Sequence, residues 1–258
     1  MALSPEQKDK IKSVIRECLR NKFETYRPES TSMPFHYRLL GRDRMALFSF
    51  IQSLNTTFGT SIFEPVAEEL AKAKHPLAVR QFFVGNKISE EAQKEIDRII
   101  NELTTAIKSP NKVEEIERIR EVCRTGKMIP VKPVKADLYL AAWDGSIHLL
   151  EIKTAKPNIS NFRDFKRTLL EWIAIYLADH PNACINSWLA IPYNPYEPKP
   201  YERWTLKGMI DLERELMVGK EFWDFLGGEG AYEAVLDCFE EVGIELRPEI
   251  DKYFEKFK

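Results

Sequence analysis

Cysteine is scarce and shows no pattern: Cys18, Cys123, Cys184 and Cys238 are scattered, with no paired spacing and no histidine at ligand spacing. That excludes a sequence-encoded disulfide framework or zinc finger and leaves buried, reduced thiols as the expectation. Long apolar runs are missing too. The longest stretches, such as residues 169–178, are interrupted by charge and too short to span a bilayer. The N-terminus lacks the basic-then-apolar pattern of a signal peptide, so the expected location is cytoplasmic, with no membrane partner. Internal repeats and low-complexity segments are also lacking, and His36, His75, His148 and His180 have no catalytic partner in the sequence.

Acids are absent where bases gather. Between Val122 and Ala136 there is none, but Arg124, Lys127, Lys132 and Lys135 are present; residues 152–163 add Lys153, Lys156 and Arg163, again without an acid. The formal charge of -2 therefore conceals segregation: residues 211–258 carry 14 acids against 6 bases, and the remainder of the chain is net basic. A basic surface with an acidic region facing elsewhere suits a polyanionic ligand.

With 258 residues, 44% of them apolar, the chain can bury a sizeable core, and a single domain is expected. Ser4, Pro5 and Gln7 form a capping box ahead of Ile11, Val14, Ile15 and Cys18 at helical spacing. Helical periodicity recurs over about 42–55, 61–73, 89–107 and 111–124. The pattern then changes to strands at 128–134, 136–142 and 147–152, a helix at 162–178, and a buried strand at 184–192. On the 162–178 helix, Arg163, Lys166 and Arg167 form either a phosphate-facing stripe or the solvated face, and the solvated face is the expectation. Helices around 212–226, 230–241 and 247–257 close the chain. This order specifies a mixed α/β core.

The informative segment is Ala136-Asp137-Leu138-Tyr139-Leu140 followed by Leu149-Leu150-Glu151-Ile152-Lys153. Charged groups on apolar strands are costly to bury without partners, and a bound cation is one partner that answers. Two carboxylates about 4 Å apart repel by on the order of 4 kcal/mol at an effective dielectric near 20, and a divalent ion between them reverses that sign. Magnesium prefers such hard oxygen ligands. Whether the acids meet depends on the turn. A two-residue Asp144-Gly145 turn pairs Asp137 with Ile152 and sends the acids to opposite faces. A three-residue Trp143-Asp144-Gly145 loop with a left-handed Gly145 pairs Asp137 with Glu151 and puts Lys153 on the same face. The second register is the expectation. Asp137, Glu151 and the Ile152 carbonyl then hold Mg2+, and Lys153 orients or helps deprotonate the attacking water. Glu64, opening its helix, either completes the metal shell or a water network or is a solvated first-turn carboxylate. A structural salt bridge is the bland alternative.

This spacing and strand-helix order resemble the PD-(D/E)XK nuclease superfamily, with Ala136 in place of the usual proline before the acid. Residues 39–44 (LLGRDR), 55–67 (NTTFGTSIFEPVA), 151–158 (EIKTAKPN) and the 219–228 run around Phe222-Trp223-Asp224-Phe225 resemble the TdeIII-type family of type II restriction endonucleases. The resemblance implies an α/β restriction-endonuclease-like core, a mixed central sheet flanked by helices, at 61–195. A helical N-terminal part at 1–60 and a mostly helical C-terminal part at 196–258 complete it. It further implies Mg2+-dependent cutting of double-stranded DNA at a short palindrome of GGNCC type. The enzyme would be a homodimer in a prokaryotic cell that also makes the cognate methyltransferase. Arg42, Arg44, Asn55, Thr56, Thr57, Thr154, Lys156 and Asn158 carry groups suited to phosphate or base edges, although capping and loop solvation use the same side chains. A repair or recombination nuclease of the same superfamily, or a non-catalytic DNA-binding or interaction module, are the competing readings.

Overall fold

The computed structural model describes residues 3–27, 32–153, 162–201 and 208–255, without the side chains of Thr56, Thr57 and Thr60. Chain order runs α1 (Pro5–Thr25), α2 (Pro34–Leu40), α3 (Arg42–Thr57), a π-helical turn (Phe58–Phe63), α4 (Glu64–Ala71), β1 (Leu77–Ser89), α5 (Glu90–Thr104) and α6 (Lys112–Val122). It continues with β2 (Met128–Ala141), β3 (Ile147–Ile152), α7 (Phe162–Asp179), β4 (Ile185–Ile191), β5 (Leu216–Val218), α8 (Lys220–Gly227), α9 (Ala231–Glu245) and α10 (Arg247–Glu255). The expected α/β class with a mixed sheet flanked by helices is borne out. Strand order is β1-β2-β3-β4-β5, antiparallel from β1 to β3 and parallel from β3 to β5.

Alternation along the strands supplies two cores, one on each side of the sheet. Ile147, Leu149, Ile185, Leu189 and Ile191 face α5, α6 and α7. Leu138, Leu140, Leu150, Ile152 and Ala190 face α1, α4, α8 and α9. The capping box of α1 forms as its residues dictate, with Gln7 N–H donating to Ser4 Oγ and Ser4 N–H to Gln7 Oε1. The acidic C-terminal region packs on this helix: Lys12, Arg16 and Arg20, one turn apart, pair with Glu241, Glu245 and Glu249.

Several elements differ from the sequence reading. The strands at 128–134 and 136–142 are one continuous strand, and the 61–73 periodicity starts with a π-helical turn. Pro65 has no N–H to give to Ser61, four residues back, and the Cys18 thiol donates to that carbonyl instead at 2.8 Å. The helix expected at 212–226 is the short strand β5 followed by α8. The reading assigns no element to β1 or α2. In β1 the alternation is interrupted, with register shifts on either side of Gly85, and a Cβ there would lie 2.4 Å from Ile175 of α7.

Lys166 is the sharpest correction, for it is fully buried rather than solvated. Its ammonium donates to Glu115 and Glu215, both at 2.5 Å, while Lys112 donates to Glu215 at 2.7 Å and to Ser187 at 2.8 Å. Burial pushes the Lys112 pKa down. Burial also opposes the Glu215 charge, but the two lysines outweigh it and hold that pKa low. The cluster joins α6, α7, β4 and the segment entering β5. Removing one partner strands a buried charge, so Glu215→Gln is expected to cost about 3–5 kcal/mol in denaturant unfolding; a loss below about 1 kcal/mol would contradict this account.

At the hairpin end, Trp188 donates to His148 Nδ1 at 3.1 Å. Ser146 donates its hydroxyl hydrogen to Asp144 and so accepts from His148 Nε2–H. Both ring nitrogens are thereby engaged by the neutral imidazole. Burial, helped by His75, lowers the His148 pKa to about 4 against the opposing pull of Asp144. A depressed histidine pKa contributes stability present above the unfolded value near 6.5 and lost as pH falls toward about 4. Urea midpoints should therefore fall more for the native protein than for His148→Asn over that interval; parallel falls would refute the assignment.

Candidate active site

The β2–β3 hairpin turns through three residues. Ala142 N–H donates to Ser146 O at 2.8 Å and Gly145 N–H to Ala142 O at 3.0 Å. Gly145, at φ 82°, takes the left-handed position that a side chain would disfavour. Leu138 pairs with Leu150 and Ala141 with Ile147, so the next pair along the ribbon is Asp137 with Glu151. The three-residue register expected from the sequence is the one observed, and Asp137, Glu151 and Lys153 share a face.

Beyond Leu138 the ladder opens, and a side chain takes over its role: Ile152 N–H donates to Asp137 Oδ2 at 2.8 Å. Lys153 stays in the sheet through its N–H bond to Ala190 O at 2.9 Å. Its ammonium lies 2.5 Å from Glu151 Oε1, 3.6 Å from Asp137 Oδ2, and 6.0 Å from the centre of the Phe165 ring on α7. Burial raises the Glu151 pKa, and the Asp137 charge raises it further against the pull of Lys153. For Lys153 burial acts downward, but Glu151 and Asp137 outweigh it and the pKa is raised. The Glu151 shift is thus chiefly burial with the Asp137 charge added, whereas the Lys153 shift is two acids outweighing burial.

Glu64 is a further acid, and a buried one. It begins α4, is only 2% exposed, and accepts from Gln81 Nε2 at 2.8 Å. Burial pushes its pKa to about 7; the Gln81 hydrogen bond pulls down and the Asp137 charge pushes up, and Gln81 itself stands opposite Asp137 between the Arg80–Leu138 and Phe82–Ala136 pairs. Three carboxylates against one ammonium suit a hard divalent cation, and Lys153 already occupies a cation's place between Asp137 and Glu151. Among the described residues, no group of three or more His, Cys, Asp or Glu side chains is gathered closely enough to hold a metal ion by itself.

Gln81 and Phe165 were not singled out in the sequence. Gln81 lies in the unassigned strand, and an aromatic on an amphipathic helix reads as core. Of the proposed DNA contacts, Arg42 and Arg44 are exposed at the start of α3, where Arg44 donates to the Leu40 carbonyl at 2.9 Å. Asn55 lines a largely aromatic cavity of about 640 Å³ with Phe58, Phe63, Tyr193 and Trp223, a space that contains none of the three carboxylates. The side chains of Thr56 and Thr57, and Thr154, Lys156 and Asn158 entirely, lie outside the described residues. Lys132 and Lys135 are exposed on the part of β2 that runs into Asp137.

Comparison with known proteins adds an independent line. The type II restriction enzyme HgiEI of Herpetosiphon aurantiacus is 27% identical over 273 aligned positions, spanning 97% of this chain and 98% of that one. HgiCII from the same organism is 29% identical over 223 positions, 85% of this chain and 80% of the relative. MjaII of Methanocaldococcus jannaschii is 25% identical over 284 positions, 99% and 74% respectively. The restriction-endonuclease resemblance is thus borne out. The model of the family described as "Type II restriction endonuclease, HinfI" matches residues 3–243, and the chain belongs to that family.

Proposed function

We propose that this enzyme hydrolyses DNA phosphodiester bonds in a Mg2+-dependent reaction of the PD-(D/E)XK type, at a short palindromic site. The observation that supports this most strongly is the convergence of Asp137, Glu151 and Lys153 on one face of the hairpin, with Lys153 Nζ 2.5 Å from Glu151 and 3.6 Å from Asp137. Asp137, Glu151 and the Ile152 carbonyl would hold the metal, with Glu64 completing its shell. Bound there, Mg2+ would supply Lewis-acid charge and lower the pKa of a coordinated water.

The protein's own groups do the remainder. Lys153, kept protonated by its two acidic neighbours, presents its ammonium to a phosphate oxygen as negative charge grows there, and orients the attacking water. Phe165 shields one side of that ammonium and so limits its competition with bulk solvent. Lys132 and Lys135 extend a basic track along β2 toward the acids, which otherwise repel a polyanion. Arg42, Arg44, Asn55, Thr56, Thr57, Thr154, Lys156 and Asn158 remain the proposed phosphate and base contacts.

Each chain offers one such site, and a palindrome presents its two strands by two-fold symmetry. A homodimer acting on both strands follows from that relation. Residues 1–258 would act as one nuclease domain in the cytoplasm of a prokaryotic cell, with a cognate methyltransferase protecting the host's own sites. The sequence resemblance points to GGNCC-type sites.

Incubation of plasmid DNA with purified protein, followed by sequencing of the new termini, tests this reading. With Mg2+ the ends should fall at one repeated short sequence, and EDTA should abolish them. Asp137→Ala, Glu151→Ala and Lys153→Ala should each lower the cleavage rate by at least about 10²–10³ with folding intact. A smear, or cutting confined to branched DNA, would point to a repair-type nuclease; full activity in Lys153→Ala would refute the assigned site.

A further inference from the structure

In β1, Gln81 has φ 50°, the left-handed region that a residue with a side chain seldom adopts. Its neighbours Arg80 and Phe82 pair with Leu138 and Ala136, so Gln81 stands opposite Asp137 across the ladder. The distortion is held from α4. Glu68 accepts from both the N–H and the guanidinium of Arg80, at 3.2 and 3.0 Å. One turn earlier, Glu64 accepts from the Gln81 side chain at 2.8 Å. Two acids four residues apart on one helix thus grip two consecutive residues of the strand that borders Asp137.

Backbone strain of this kind costs on the order of 1–3 kcal/mol and persists only where surrounding contacts enforce it. Its effect here is specific. The Gln81 amide engages Glu64 Oε2, and Glu64 is buried at the helix start, so that hydrogen bond fixes the orientation of the carboxylate. An ordinary β conformation at Gln81 would continue the strand's alternation and turn the amide away from this partner.

We propose that Gln81 is a positioning residue: its left-handed conformation and amide hydrogen bond aim the Glu64 carboxylate at the cation site formed with Asp137 and Glu151. The inference rests on the endonuclease reading above for its catalytic consequence, but its binding consequence can be measured separately.

The test uses three variants of the full-length protein. Gln81→Ala removes the amide. Gln81→Gly also removes it and Gln81→Asn draws it back by one methylene, out of reach of Glu64, while both tolerate the left-handed backbone. Mn2+ affinity, followed by electron paramagnetic resonance without DNA, should fall about 10–100-fold in all three, and the single-turnover cleavage rate should fall similarly at unchanged DNA affinity. In a Glu64→Ala background, Gln81→Asn should add no further loss of either quantity. Native-like Mn2+ affinity in Gln81→Asn or Gln81→Gly, or losses that add fully to those of Glu64→Ala, would overturn the proposal. If the native protein binds Mn2+ but does not cut DNA, the endonuclease reading fails, and the Mn2+ titrations still decide the role of Gln81.

Discussion

The mutual repulsion of Asp137 and Glu151, forced onto one side of a β-ribbon, is the constraint around which this end of the molecule is arranged. A strand places successive side chains on opposite faces, so the parity of a single turn decides whether two acids separated by fourteen positions meet or diverge. Gly145, left-handed in the three-residue loop, sets that parity. Once the acids meet, the pair needs positive charge. Lys153 supplies part of it at short range, and its own pKa is raised by the two acids; burial, with the Asp137 charge added, raises those of Glu151 and Glu64. A divalent ion between the carboxylates would reverse the sign of their repulsion, and the proposed metal site rests on that reversal.

The rest of the fold supplies rigidity around this charge. The antiparallel half of the sheet presents the acids, and the parallel half, through the Lys153 N–H bond to Ala190, keeps Lys153 in line after the hairpin ladder has ended. Helices approach from both faces: α4 brings Glu64 and α7 brings Phe165. Beneath α7, the buried cluster of Lys112, Glu115, Lys166 and Glu215 binds the helix to α6, to β4 and to the segment entering β5. Such a fully satisfied ionic cluster fixes one arrangement of its elements, because sliding any of them would leave a charge without a partner in an apolar interior. The outer contacts are of a different kind. The three exposed ion pairs between α1 and the C-terminal helices contribute little individually and serve mainly to explain where the acidic end of the chain goes.

Local signals were the readable ones. The capping box of α1 and the limits of β3 and α7 were legible because each depends on neighbouring residues. So was the hairpin register, since it reduces to turn length and the two-residue period. What escaped was nonlocal. β1 is interrupted by Gln81 and Gly85, whose conformations answer to α4 and α7 rather than to their own neighbours, so no clean alternation marks it. Lys166 has the sequence context of a solvated lysine. Only partners 49 and 51 residues away, Glu215 and Glu115, make its burial tolerable. The same applies to Gln81, which gains meaning from Glu64 across the β1–α4 contact.

Anomalous diffraction from crystals of the native protein soaked in Mn2+ tests the central claim most directly. A peak should appear between the Asp137 and Glu151 carboxylates, with the Lys153 ammonium displaced from its 2.5 Å contact with Glu151. Manganese bound elsewhere, with that ion pair undisturbed, would show that the three groups form a structural salt bridge and not a cation site.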